Sequence, residues 1–448
     1  MTPEEITAAL ASVLGAEITE LQRLTGGASR VTWSFLADGE RRILQRERSG
    51  SIRSGAMPSE AALIRAADAA GVPVASVIAS GAGDDDLGTG YLIAEFVEGE
   101  TIARKILRDD EFADARATFA ADCGRALAAI HAIDPAEAPQ LDRVDQVKQY
   151  REVLDAFGDP IPAFELAFAW LEDNRPEGTG PRATGGAIVH GDFRLGNLML
   201  GPDGLRAVVD WELAHLGDPM EDLGWLCVRA WRFRGEHPVG GMGTYDELFA
   251  AYSEAAGVEV DPEVVRWWEV LGTLKWGIMC IMQARAHLDG LSRSVELAAI
   301  GRRVCENEHD LLLLLAPEAL ATASARGGVP PLVESGMHGR PTAAELVEAV
   351  REYIDGDVRQ NTGGRTAFHG RVASNVLATV QRELELGPAM AAEHVARLGG
   401  LGVGSEADLV AAIREGRFDD RLDEVHQVVA ETVVAKLRVA NPDHFSTK

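Results

Sequence analysis

The chain has 448 residues, 46% hydrophobic and 25% charged, which is the composition of a folded globular protein and excludes a collagen-like or mostly disordered chain. At about 100–200 residues per domain, two or three domains are expected. With 43 Lys and Arg against 70 Asp and Glu, the formal charge is −27, so binding to nucleic acid or to an anionic membrane is not expected, whereas a local basic pocket for a small anion is compatible with it.

In chain order, Thr2-Pro3-Glu4-Glu5 predicts a capped helix to about residue 14. The same start has neither the basic nor the apolar segment of a secretion signal. Leu24-Thr25-Gly26-Gly27-Ala28-Ser29-Arg30 is a Gly-rich bend between this helix and a strand over 31–35. A turn at Ala37-Asp38-Gly39-Glu40 leads to a return strand over 42–46, then a helix over 58–70 and a strand over 91–97. From residue 111 the pattern is helical, with a break over 184–211 that holds short apolar runs around a polar loop. Helices resume over 222–316, and the most apolar runs, 276–282 and 311–316, fall far short of the ~20 residues of a membrane span. A Gly-, Pro- and Ser-rich stretch over 321–340 reads as a linker. Helical spacing returns after Thr342-Ala343-Ala344-Glu345 and again after Ser405. The cysteines Cys123, Cys227, Cys280 and Cys305 form no C-x-x-C pair and read as buried thiols of a reducing compartment; the expected location is cytoplasmic.

The chemistry concentrates in His190-Gly191-Asp192-Phe193-Arg194-Leu195-Gly196-Asn197, followed by Asp210-Trp211-Glu212. Phosphoryl transfer to a hydroxyl needs a carboxylate beside the acceptor and oxygen ligands for a divalent cation that neutralises the triphosphate. Asp192, Asn197 and Asp210 supply one base and two metal ligands within one short segment, at the D-x-x-x-x-N spacing of a kinase catalytic loop.

With Leu24-Thr25-Gly26-Gly27-Ala28-Ser29 upstream and Gly217-Asp218-Pro219-Met220-Glu221-Asp222-Leu223-Gly224 downstream, the chain resembles the aminoglycoside phosphotransferase superfamily of protein-kinase-like small-molecule kinases. In particular it is similar to the kinase domains fused to acyl-CoA dehydrogenases and to 4-hydroxyacyl-CoA kinases. The resemblance covers about residues 10–315. The tail, with Ala367-Phe368-His369-Gly370-Arg371-Val372, resembles a small uncharacterised helical domain found beside such kinases.

The resemblance implies ATP and Mg²⁺ as cofactors, with Asp192 as base or orienter of the acceptor hydroxyl and Asn197 and Asp210 as metal ligands. It implies that Gly26, Gly27 and Ser29 cover the phosphates through backbone N–H groups, that Glu95 and Val97 form the adenine hinge, and that Glu60 steadies a phosphate-binding cation. That cation belongs on the third strand, where this chain has Gln45 followed by Arg46. Adjacent strand residues face opposite ways, so either the strand bulges, the register shifts by one, or Arg48 or Arg53 reaches in; Arg46 is the expected cation. His190 and Asp222 are expected to support the loop, and His131 to pack on a helix face. The Trp residues 225, 231, 267, 268 and 276 read as core, with some available to line an acceptor pocket. Arg229, Arg232, Arg234 and Lys275 are candidate contacts for an anionic acceptor such as a carboxylate or CoA phosphates.

The expected fold is α+β, a bilobal protein-kinase-like fold with an appended small all-helical C-terminal domain. Its expected divisions are 1–97 for the nucleotide-binding lobe, 98–320 for the catalytic lobe, 321–337 for a linker and 338–448 for the helical domain. The expected reaction is transfer of the γ-phosphoryl group of ATP to a hydroxyl of a hydroxyacyl-CoA, with a homo-oligomer left open. The alternatives are an antibiotic O-phosphotransferase, which the acidic runs 84–86 and 109–111 would suit, and a pseudokinase scaffold, for which Gln45 is the discriminating residue.

Overall fold

The computed structural model describes residues 1–24, 30–47, 57–136, 138, 141–177, 186–326 and 341–446. The chain divides into two units: residues 1–145 with 176–269, and residues 146–175 with 270–448.

The first unit opens with the helix Pro3–Leu14, whose Thr2 cap and Glu5 exchange the reciprocal bonds of a capping box. Five antiparallel strands follow, β1 (Ile18–Arg23), β2 (Arg30–Ala37), β3 (Glu40–Glu47), β4 (Val77–Gly81) and β5 (Tyr91–Glu95), in the order β1-β2-β3-β5-β4. The edge strands β1 and β4 were not legible in the sequence, because neither alternates cleanly between apolar and polar residues. A two-residue turn joins β2 to β3, with φ of 49° at Asp38 and 86° at Gly39, the left-handed pair that matches the twist of a tight hairpin.

The pleat gives this sheet two buried faces. Phe35, Leu44, Tyr91 and Ile93 pack with Ile6, Ala9 and Leu10 of the first helix. Leu92 and Ala94 face the other way, onto Met57 and Ala61 of the helix Met57–Ala69. Beyond the sheet, the helix Ala113–His131 packs against the helix Tyr245–Ala256 so closely that a Cβ on Gly124 would lie 2.7 Å from the carbonyl oxygen of Leu248. Around them, β6 (Ala187–Val189) pairs with β9 (His215–Gly217), and β7 (Leu198–Gly201) pairs with β8 (Gly204–Val208).

The second unit is helical among its described residues. One apolar core joins Ala163 and Leu166 of the helix Pro162–Asp173 with Cys305 and Leu312 of the helix Val304–Leu315, and with Leu398, Leu409, Val429 and Leu437 from the C-terminal helices. Arg414 ties the C-terminal part to the buried Glu165 at 2.8 Å and to Asp155 at 2.7 Å, while Arg151 meets the same Glu165 at 2.6 Å. The division therefore differs from the one expected at residues 321–337: helices assigned to the catalytic lobe share a core with the tail. Amphipathic spacing marks which face of a helix is apolar and says nothing of which helix will cover it. The helix Pro317–Ala325 also extends into the expected linker, and 327–340 lie outside the described residues.

All four cysteines are free and buried. Among the described residues no helix is long and apolar enough to cross a membrane.

Candidate active site

The loop between β6 and β7 is fixed from below by one carboxylate. Asp222, on the helix Met220–Cys227, has no exposed surface. It accepts the N–H of His190 at 2.7 Å and that of Gly191 at 2.9 Å, and lies 3.2 Å from His131 Nε2. His131 Nδ1 in turn meets the Tyr252 hydroxyl at 2.9 Å, so this histidine is a link in a polar relay as well as a packed side chain. Burial opposes the ionisation of Asp222, but the hydrogen bond and charge of His131, together with His190, outweigh it and hold its pKa below the ordinary value. Gly191 has φ of 76°, and a Cβ there would fall 2.5 Å from the Leu213 carbonyl oxygen, so the turn needs glycine. His190 is fully buried and its Nδ1 accepts the Asp192 N–H at 3.2 Å. Burial lowers its pKa against the pull of Asp222 and Asp192, which fits a neutral ring acting as an acceptor.

That support aims Asp192, whose carboxylate is held at both oxygens. Trp225 Nε1–H donates to Oδ1 at 2.9 Å and Arg194 Nε–H donates to the same oxygen at 3.0 Å. Asn197 Nδ2–H donates to Oδ2 at 2.6 Å and also to the Asp192 carbonyl at 3.1 Å. The Arg194 guanidinium lies 4.5 Å from the centroid of Trp231, which packs on Trp225 at 5.2 Å. Two tryptophans that read as core from spacing alone thus hold the carboxylate, directly and through Arg194. No sequence signal separated them from Trp267 or Trp268.

Asp210 follows β8 in the left-handed region, with φ of 69° and ψ of 63°, a conformation Asp tolerates better than most residues. Its carboxyl is pushed up to about 6, first by burial and then by Glu212, with Asp192 and Glu60 adding and Arg30 opposing. The Asp210 carboxylate and the Asn197 amide oxygen are hard oxygen donors, the set that a divalent cation such as Mg²⁺ takes.

At the phosphate end, Gly26, Gly27 and Ser29 lie outside the described residues, as do Arg48 and Arg53. Glu60 is buried on the helix Met57–Ala69, and its partner is Arg30, at the first position of β2. Arg30 meets it with two parallel bonds, Nη1 to Oε1 at 2.8 Å and Nη2 to Oε2 at 2.5 Å. The expected cation, Arg46, is elsewhere. Leu44, Gln45 and Arg46 pair with Ile93, Leu92 and Tyr91, so Gln45 lies on the Glu60 face of the sheet and Arg46 on the opposite one. Its guanidinium donates there to the Leu87 carbonyl at 2.5 Å. β3 is regular across this stretch, with neither a bulge nor a one-residue slip to turn Arg46 around.

Glu95 ends β5 with its N–H bonded to the Ser76 carbonyl at 3.0 Å, and Val97 follows on the connection to Glu100. Glu100 exchanges backbone bonds with Leu200 at 2.8 and 3.0 Å, which pins this connection to β7 and so to the catalytic loop. Among the candidate acceptor contacts, Arg232 is committed to Glu269 at 2.9 Å and to the Cys227 carbonyl. Arg229 is half-buried, and Arg234 is exposed in a left-handed conformation at φ 69°. Lys275 belongs to the second unit, where it is buried with Nζ 5.9 Å from the Tyr150 ring centroid.

The profile of the phosphotransferase enzyme family matches residues 20–268, more than half of the chain. The chain belongs to this family. The chain carries the bilobal protein-kinase-like fold of a small-molecule phosphotransferase with a further helical region, and residues 360–444 match a domain of unknown function, DUF6285. It is 28% identical to acyl-CoA dehydrogenase family member 10 of Mus musculus over 288 residues, 58% of this chain and 26% of that protein. It is 22% identical to member 11 of Gallus gallus over 392 residues, 81% of this chain and 44% of that protein. The chain therefore spans less than half the length of these relatives. Among solved structures, an aminoglycoside phosphotransferase candidate from Ralstonia eutropha aligns at a TM-score of 0.56 and 21% identity, covering 70% of this chain and 98% of that one. Spectinomycin phosphotransferase, solved with ADP and spectinomycin, aligns at 0.53 and 13% identity over the same shares. These likenesses establish the fold.

Proposed function

We propose that the chain transfers the γ-phosphoryl group of ATP to a hydroxyl of a hydroxyacyl-CoA, of the 4-hydroxyacyl-CoA type. The observation that carries the kinase chemistry is the Asp192 carboxylate, held at both oxygens by Asn197, Trp225 and Arg194 on a loop that Asp222 anchors. A carboxylate fixed in this way orients the acceptor hydroxyl and takes its proton as the O–P bond forms, and such positioning supplies much of the rate in phosphoryl transfer. Asn197 and Asp210 would hold Mg²⁺, which when bound neutralises charge on the phosphates. Gly26, Gly27 and Ser29 would cover the phosphates, while Glu95 and Val97 would meet adenine.

The acyl-CoA part of the reading is supported by the two acyl-CoA dehydrogenase family relatives. Arg229 and Arg234 are proposed contacts for the acceptor's negative charge, and Arg232 is held by Glu269. The second reading, an antibiotic phosphotransferase, is favoured only by fold likeness to the spectinomycin enzyme.

The test is ADP release with Mg·ATP across hydroxyacyl-CoAs, free hydroxy acids and aminoglycosides, with Asp192→Asn as control. Turnover on a hydroxyacyl-CoA, with a product heavier by one phosphoryl group and a loss of roughly 100- to 10,000-fold in Asp192→Asn, supports the proposal. Turnover confined to aminoglycosides replaces the substrate, and absence of turnover on every acceptor together with absence of ATP binding moves the weight to the pseudokinase reading.

A further inference from the structure

We propose that Arg30 is the cation that grips the nucleotide phosphates, moved from the third strand to the start of the second. The inference rests on the kinase reading above and concerns the position at which this chain has Gln45.

A phosphate-gripping cation on β3 would stand on the sheet face that looks toward Glu60, and Gln45 occupies that place. In the β2–β3 ladder, Thr32 pairs with Gln45 and Arg30 pairs with Glu47. Arg30 is two residues from Thr32, so the period of two puts it on the same face as Gln45, one step nearer the Gly-rich bend. Arg30 is long enough to return across the strand, and its Nη1 donates to the Gln45 side-chain oxygen at 3.1 Å. The neutral Gln45 thus accepts a bond from the cation that stands in for it. A lysine in place of Gln45 would instead put two positive charges side by side, so the Gln and the Arg are complementary.

The surroundings are those of a ligand-binding cation. The Arg30 side chain is 12% exposed and its Glu60 partner 6%. The fork-to-fork pair with Glu60 fixes the guanidinium plane, as bidentate Arg–carboxylate contacts do. Nη2 also reaches Glu212 at 3.4 Å, a longer and weaker contact than those to Glu60. A phosphate oxygen replaces this bond at least cost, so nucleotide binding exchanges Glu212 for phosphate while Glu60 keeps its hold. Asp210 acts on the same guanidinium electrostatically.

The experiment measures binding of Mg·ATP, Mg·ADP and adenosine to the full chain by calorimetry, with Arg30→Gln and the double variant Arg30→Gln/Gln45→Lys. Arg30→Gln is expected to weaken ATP and ADP about tenfold or more while leaving adenosine affinity unchanged, because the lost bonds are to phosphate. In the double variant, the introduced lysine meets Glu60 from the third strand and recovers most of the ATP affinity. Equal weakening of ATP and adenosine means that Arg30 only shapes the fold around the site, and overturns the proposal. So does a folded Arg30→Gln protein that binds ATP like the wild type. If Arg30→Gln does not fold, Arg30→Lys carries the comparison: a lysine keeps the charge but loses the fork, so ATP weakens and adenosine does not. A wild-type protein that binds no nucleotide overturns the kinase reading together with this inference, whereas wild-type binding unaffected by Arg30 overturns the inference alone.

Discussion

Replacing Asp222 by Asn tests whether the catalytic loop is held from beneath. Its carboxylate accepts the N–H groups of His190 and Gly191 and lies 3.2 Å from His131 Nε2, with no solvent to take over any of them. Asn keeps the shape but offers one oxygen, so at least one N–H faces an NH₂ group. An orphaned buried donor costs about 1–3 kcal/mol, against a total stability of about 5–15 kcal/mol. Part of that cost is relieved by movement of the loop, which carries Asp192 with it, so kcat should fall about tenfold or more. The assay pairs urea-unfolding midpoints with ADP-release kinetics. A lower midpoint with a lower kcat and an unchanged KM for ATP is the expected pattern. An Asp222→Asn protein with wild-type midpoint and wild-type kcat refutes the reasoning, and a lower midpoint with unchanged kcat refutes the link from Asp222 to Asp192.

Trp225→Phe removes the Nε1–H that reaches Asp192 Oδ1 at 2.9 Å and also trims the buried ring that packs on Trp231, so kcat should drop about tenfold or more, and an unchanged kcat would show that Arg194 and Asn197 suffice. In the second unit, Asp310 accepts from His444 Nε2 at 2.9 Å and lies 3.1 Å from His309 Nδ1; burial opposes its ionisation, yet these contacts draw its pKa from 3.8 down to about 2. Because the folded value is the lower one, this stability is present above about pH 4 and is lost as the pH falls toward 2, a difference on the order of 2 kcal/mol. Asp310→Asn should therefore have a lower urea midpoint at pH 7, with a gap to wild type that narrows below pH 4; a gap independent of pH contradicts this. Deleting 341–448 should give an aggregating protein, because it uncovers Ala163, Leu166, Leu312 and Leu320, and a soluble monomer from this deletion would show that the shared core is dispensable.

The sequence by itself determined the features that depend on neighbours in the chain. Asp192, Asn197 and Asp210 fall within one loop and hairpin, so the roles proposed for them could be read from spacing alone. The capping box at Thr2 and the Asp38-Gly39 turn are likewise local, because a cap or a tight turn is satisfied by residues two or three positions away. Tertiary structure decided the rest. Arg30 and Glu60 are brought together by the register of β2 on β3 and by the helix packed on that face, which no periodicity within either segment specifies. The contact of Trp225 with Asp192 joins residues 33 apart in the sequence, and aromatic spacing reads the same whether an indole N–H meets a carboxylate or lies in the core. The tail helices announce their apolar faces, yet only the folded chain shows those faces buried on Ala163, Leu166 and Leu312. Hydrophobic burial is not directional: it fixes which surface must be covered and leaves the covering element to the fold.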